Sequence, residues 1–145
     1  MTNTLNLRTA TLADAKILLA WRNDPQTRAA SHNTDEILLE NHLAWLESSL
    51  KKPEQRRLWV AELDGNLVGT CRADKEDNGW ELSWTVAPEA RGQGVAHKML
   101  SKLIDTFQQP LTAQVKKDNM ASMKVAERLG FVIEKEESGV LFYRR

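Results

Sequence analysis

The chain has 145 residues, 41% of them hydrophobic and 28% charged, a size and make-up that suit one folded domain, residues 1–145, around one core. Twenty Lys and Arg residues balance twenty Asp and Glu, so the basic excess that holds bulk nucleic acid is missing. One cysteine, Cys71, excludes an intrachain disulfide and fits a reducing compartment.

Leu5 to Thr9 reads as a short strand. Thr11 opens a helix, with Asp14 three residues on as a shortened capping box. Leu12, Ala15, Leu19 and Arg22 share one face of it, and Asp24-Pro25 stops it. A second helix is expected from about Asp35 to Lys51, capped by Asn33 with Glu36. Its stripe is Leu39, Leu43, Leu46 and Leu50, and Pro53 ends it. Three strands follow, Arg57 to Leu63, Leu67 to Asp74 and Trp80 to Val86. The turn signals Asp64-Gly65 and Asn78-Gly79 between them make the three antiparallel neighbours.

The pattern then changes. Gly94 to Phe107 is helical, with Val95, Met99, Leu103 and Phe107 on one face. Leu111 to Lys116 is a strand and Asn119 to Leu129 a helix. Phe131 to Lys135 and Val140 to Tyr143 form a hairpin around Ser138-Gly139. A strand-helix-strand crossover makes a parallel pair, here near Val86 and Leu111. The expected fold class is therefore α/β (α+β), a mixed, mostly antiparallel central sheet of six to seven strands flanked by about four helices.

The segment from Leu82 to Ala96 carries the chemistry. A strand ends at Val86, Pro88 directs a short loop, and Arg91, Gly92, Gln93 and Gly94 lead into a helix whose early residues are Val95 and the small Ala96. The first amides of a helix have no partner within it, and its dipole adds partial positive charge there. Glycines let backbone approach a ligand closely. Arg91 brings a full charge and a forked donor. Such a cradle suits a pyrophosphate, although Gly92 and Gly94 can also merely shape a turn.

Arg91, Gly94 and Ala96 resemble the Gln/Arg-x-x-Gly-x-Gly/Ala cofactor motif of the GNAT superfamily of N-acetyltransferases. A second match, Asn119 to Phe131, is similar to the family's next helix, which starts with Asn and ends in Leu-Gly-Phe. The element order agrees from Leu5 to Tyr143. The resemblance implies acetyl-CoA as cofactor. Its pantetheine arm would lie where Trp80 to Val86 and Leu111 to Lys116 splay apart, bound by backbone around Val86 as an added strand is. The amides from Gly92 to Ala96 would take the pyrophosphate, and Asn119 would bond the arm from the other side.

Glu81 is the candidate general base, since Glu81, Ser83 and Thr85 share one strand face and a carboxylate within a sheet is unusual. A solvated strand residue or an ion pair is the plain alternative. Many family members carry a Tyr that protonates the thiolate, and here that position is Ala126. Ser122, on the same helix face as Asn119 and Val125, is the candidate donor in its place; it can equally cap or pack. Tyr143, the one tyrosine, reads as a packing residue.

Acceptor specificity is expected in the first two helices and their connection. Trp21 to Arg28, with Asn33, His42 and Trp45-Leu46, resembles the subgroup acting on nucleotide-linked amino sugars. Arg22, Asn23, Arg28 and His42 are the candidate acceptor-binding residues. Plain structural roles compete: Trp21 and Trp45 suit a core, Arg22 a nearby carboxylate, His42 a helix flank, and Cys71 a buried strand. The expected function is acetyl transfer to a primary amine, on a small molecule such as a nucleotide-linked amino sugar. A protein N-terminal α-amine is one alternative, and a non-catalytic acetyl-CoA sensor another. No metal is expected, because His32, His42, Cys71 and His97 lack ligand spacing. No apolar run approaches the ~20 residues that span a bilayer, and the first eleven residues do not read as a secretory signal. The expected protein is thus a cytoplasmic monomer or homodimer without a membrane partner.

Overall fold

The computed structural model describes residues 4–145; residues 1–3 of the expected domain lie outside it. Strand β1 spans Leu5–Thr9, followed by helices α1 (Ala15–Asn23), α2 (Pro25–Ala30) and α3 (Leu39–Leu50). Strands β2 (Arg56–Leu63), β3 (Asn66–Lys75) and β4 (Trp80–Val86) come next. Helix α4 (Val95–Ile104), β5 (Leu111–Lys116), α5 (Met120–Arg128), β6 (Val132–Glu137) and β7 (Val140–Arg144) complete the chain. The seven strands form one sheet in the order β1-β2-β3-β4-β5-β7-β6. Every neighbouring pair is antiparallel except β4 and β5.

That exception shapes the molecule. The parallel pairing covers only Trp80↔Leu111, Glu81↔Thr112 and Leu82↔Ala113. Beyond Leu82, β4 stays paired to β3 and beyond Ala113, β5 stays paired to β7. The two strands therefore part like a fork. Its closed end is tight: Trp80 N donates to Pro110 O at 3.0 Å, and a Cβ on Gly79 would lie 2.0 Å from the same oxygen.

Side-chain alternation assigns the two faces. On one face Phe107 packs against Trp59 and Trp80, and α4 buries Val95, Met99, Leu100, Leu103 and Ile104. On the other, Arg56 and Arg72 lie over Trp45 of α3. Asp14 anchors the entry to α1: it accepts from Thr11 N and takes both terminal nitrogens of Arg8, each at 2.8 Å. Among the described residues no helix is long and apolar enough to cross a membrane.

Helix detail differs from expectation in three places. The buried face of α1 is Ala15, Leu18 and Trp21, while Leu12 is exposed. Helix α3 begins at Leu39 rather than Asp35, because Asn23 holds both the amide and the carbonyl of Ile37 at 2.8 Å and keeps the chain extended. It buries His42, Leu46 and Ser49 and leaves Leu39 and Leu43 exposed. Finally, Asp24-Pro25 ends α1 but also starts a fifth helix: Asp24 caps α2 through Thr27 N and Pro25 takes its first turn.

Candidate functional site

The fork opens into a cavity of about 990 Å³. Its walls are the parting ends of β4 and β5, the first turns of α4 and α5, and a roof made by α1, α2 and α3. Beyond Leu82, the β4 edge that faces β5 has no strand partner. Val86 lies on that stretch and lines the cavity.

At the mouth, the chain turns through Gly92 at φ 77° and Gly94 at φ 75°, a left-handed conformation that favours glycine. Gly94 is the N-cap of α4, and no side chain caps the helix. The intrahelical ladder begins with Lys98 N on Gly94 O, so the preceding amides of Val95, Ala96 and His97 are the orphan donors of a helix start. A Cβ at Gly92 or Gly94 would meet nothing within 4 Å. An open, uncapped helix N-terminus of this kind fits a diphosphate.

The Arg91 guanidinium pairs with Asp24 at 2.5 Å, with further hydrogen bonds to Gln26 Oε1 and Thr27 Oγ1, on the wall of the same cavity as Gly92 to Ala96. Gln93 reaches back to the Glu89 carbonyl at 3.5 Å and is exposed.

Glu81 lies on the cavity wall at the closed end of the fork, where Gln114 of β5 donates to its Oε1 at 3.2 Å. Burial first, then the nearby charges of Glu76 and Asp74, push its carboxyl above the ordinary range. Across the cavity, Asn119 caps α5 by accepting from Ser122 N at 3.2 Å. That bond uses the Asn119 oxygen and not its amide NH2 donors. Ser122 and Asn119 both line it. Tyr143 is away from the cavity and donates to Glu127 at 3.0 Å, in a packing role. Burial pushes the Cys71 thiol up to about 12, an inert group despite its place on the wall.

The four expected acceptor residues are not brought together as a set. Arg22 and His42 line the cavity. Arg22 Nη2 donates to the Asn33 carbonyl at 2.7 Å rather than to a carboxylate, and its Nη1 is buried without a partner. His42 is 5% exposed, stacks on Trp45 and has an unpartnered Nε2; burial holds its imidazole below the usual range. Both ends of the Asn23 amide are committed to Ile37. Arg28 donates to the Thr34 carbonyl and borders a separate hollow with Pro25, Ala29 and Thr34.

Several wall residues were not among the expected site residues. Gln26 and Thr27, inside the Trp21 to Arg28 stretch, reach the wall on helix α2, and Arg72 and Gln114 arrive by strand register. The Asp-Pro pair was the available signal for α2, since proline favours a first turn as much as it stops a preceding helix. The others carry no local signal.

A family model described as an acetyltransferase (GNAT) domain matches residues 4–132. Human N-acetylaspartate synthetase is 38% identical over 73 residues, 48% of this chain and 24% of that protein. The match thus spans about a quarter of that relative's length. A ribosomal-protein-alanine N-acetyltransferase of Brucella melitensis superposes with a TM-score of 0.80 at 28% identity, covering 97% of this chain and 98% of that one. The yncA protein of Salmonella typhimurium, solved with its cofactor acetyl-CoA, gives a TM-score of 0.80 at 24% identity, covering 99% and 94%.

Proposed function

The chain belongs to the acetyltransferase (GNAT) domain family, and from that premise we propose that residues 1–145 form one N-acetyltransferase domain that uses acetyl-CoA to acetylate a primary amine directly. The observation that carries this reading is the coincidence, in one cavity, of a forked sheet, an uncapped helix start and a desolvated carboxylate. When bound, acetyl-CoA supplies the activated acetyl group.

The amides of Val95 and Ala96, approached over Gly92 and Gly94, would hold the diphosphate. Backbone at Val86 and the side-chain amide of Asn119 would bind the arm. Glu81 takes a proton from the acceptor amine, for which its raised affinity for protons suits it. Ser122 Oγ holds a proton on the α5 side, where the common tyrosine is replaced by Ala126.

For the acceptor, what supports an anionic small molecule such as a nucleotide-linked amino sugar is the unpaired Arg22 Nη1, with the charges of Arg72 and Arg28 bearing on the same guanidinium. A peptide α-amine is the second reading, favoured by the likeness to the Brucella enzyme. An α-amino group has a reference pKa of about 7.7–8.0 against about 10.4 for lysine, so either acceptor asks little of the base. Thiol release from acetyl-CoA over nucleotide-linked amino sugars, N-terminal peptides, polyamines and free amino acids tests the proposal. Turnover of an anionic amine that falls on Arg22→Gln supports the first acceptor class. Turnover confined to peptides favours the second. Coenzyme A binding with no turnover on any amine would leave a sensor module and sink the transferase reading.

A further inference from the structure

Helix α2 roofs the cavity, and the structure pins it at both ends to the two prongs of the fork. At its start, Asp24 is at once the N-cap, accepting from Thr27 N at 3.2 Å, and the partner of Arg91 in the loop after β4. Gln26 and Thr27 add further acceptors for the same guanidinium. At its end, Lys116 Nζ, on the last residue of β5, donates to the Ala29 carbonyl at 2.9 Å. The Asp24 and Arg91 side chains are 19% and 30% exposed, so the pair is partly desolvated and worth more than a surface contact. Gln26, Thr27, Ala29 and Ala30 face the cavity from this roof.

We propose that Asp24 and Arg91 are positioning residues that set the acceptor roof relative to the cofactor loop, and that the Arg91 guanidinium serves this latch and not the diphosphate. Arg91 meets three side-chain acceptors on α2, whereas the cradle supplies its own amides and needs no side chain to bind an anion. A diphosphate seated on Gly92 to Ala96 leaves the latch in place, so the roof has the same position with or without cofactor. The inference rests on the acetyltransferase reading only for the identity of what the cradle holds.

Amide hydrogen exchange across residues 24–34, together with coenzyme A calorimetry, separates the two roles. Asp24→Asn keeps a good N-cap and loses the charge; Arg91→Gln loses the guanidinium; Arg91→Lys keeps a cation. Exchange at Arg28 and Ser31, whose amides bond within α2, should rise by about tenfold in Asp24→Asn and Arg91→Gln, with the core strands unaffected. The double variant should exchange no faster than either single one, since both remove one interaction, and Arg91→Lys should restore most of the protection. Coenzyme A affinity should stay at the wild-type value throughout. If Arg91→Gln weakens coenzyme A while Asp24→Asn does not, the guanidinium belongs to the diphosphate and the proposal falls. It falls equally if neither variant loosens α2, or if their effects add. A wild-type protein that binds no coenzyme A would overturn the cofactor reading instead, with the latch still decided by exchange.

Discussion

The general-base role proposed for Glu81 is tied to a cost in stability. The carboxylate sits beside Gln114, loses hydration, and lies near Asp74 and Glu76. Its folded affinity for protons therefore exceeds that of the unfolded chain. By linkage, the folded protein holds more protons here than the unfolded one, so the stability contributed by this group is fully present below the unfolded value of about 4.3 and is lost as pH rises through the folded value. At neutral pH the ionised carboxylate thus works against the fold. Glu81→Gln is accordingly expected to keep or raise the thermal midpoint, while lowering turnover by about 10²-fold at unchanged coenzyme A affinity. The acid limb of the wild-type rate profile should lie above the ordinary carboxylate range and vanish in the variant. A variant with wild-type turnover would make Glu81 a strand residue with no proton to move. Asp14 behaves in the opposite sense. The Arg8 guanidinium holds its carboxyl below the usual range, so its stability is present above about pH 3.9 and is lost on acidification through the folded value.

At the scale of the element, the fork depends on two glycines for different reasons. Gly79 is needed for space: a Cβ would collide with the Pro110 carbonyl that closes the fork. Gly79→Ala should destabilise by roughly 2 kcal/mol, within the overpacking range, and should pry β4 from β5 at Trp80. Chemical denaturation reads the first effect and loss of protection at the Trp80 amide reads the second. Gly94 is needed for conformation: at φ 75° with open space around it, a β-branched residue is strained by ~1–3 kcal/mol where the chain enters α4. Gly94→Val should abolish coenzyme A binding in a titration; unchanged affinity would remove the cradle from the binding site. The sequence foretold these glycines unequally. The spacing from Arg91 to Ala96 is a local pattern and was legible, as was the Asn78-Gly79 turn. That Gly79 abuts Pro110 depends on a crossover of some thirty residues, which no window of sequence contains. The stripe of Leu39, Leu43, Leu46 and Leu50 was legible as a helix, but Leu46 alone of it is fully buried, beside His42 and Ser49, while Leu39 and Leu43 stay exposed.

Over the whole molecule, the order of strands and helices was readable from turn signals and periodicity, and with it the mixed sheet. The roof was not. Which side chains of the roof reach the cavity depends on packing of α3 on β2, α1 on β4 and α2 on α1; Asn23 and Arg28 meet backbone carbonyls while Arg72, on a strand, becomes a wall residue. The fork itself has an energetic consequence. Beyond Leu82 and Ala113 the two halves of the sheet share no ladder, and the β4 edge there has backbone groups free for a ligand to satisfy. A cofactor arm laid between the prongs would restore that ladder, bind only the folded state, and tie the two halves together. Coenzyme A at about 100 times its dissociation constant should therefore add about 2.7 kcal/mol of stability, a rise of several degrees in the thermal midpoint. Protection should increase together at Ser83 to Val86 and at Gln114 to Lys116, on both prongs, and not at the distant β6–β7 turn. Protection gained at the α4 start alone would mean that the diphosphate binds while the arm stays outside the fork, and the sheet would then be a scaffold for the cradle and not a part of the site.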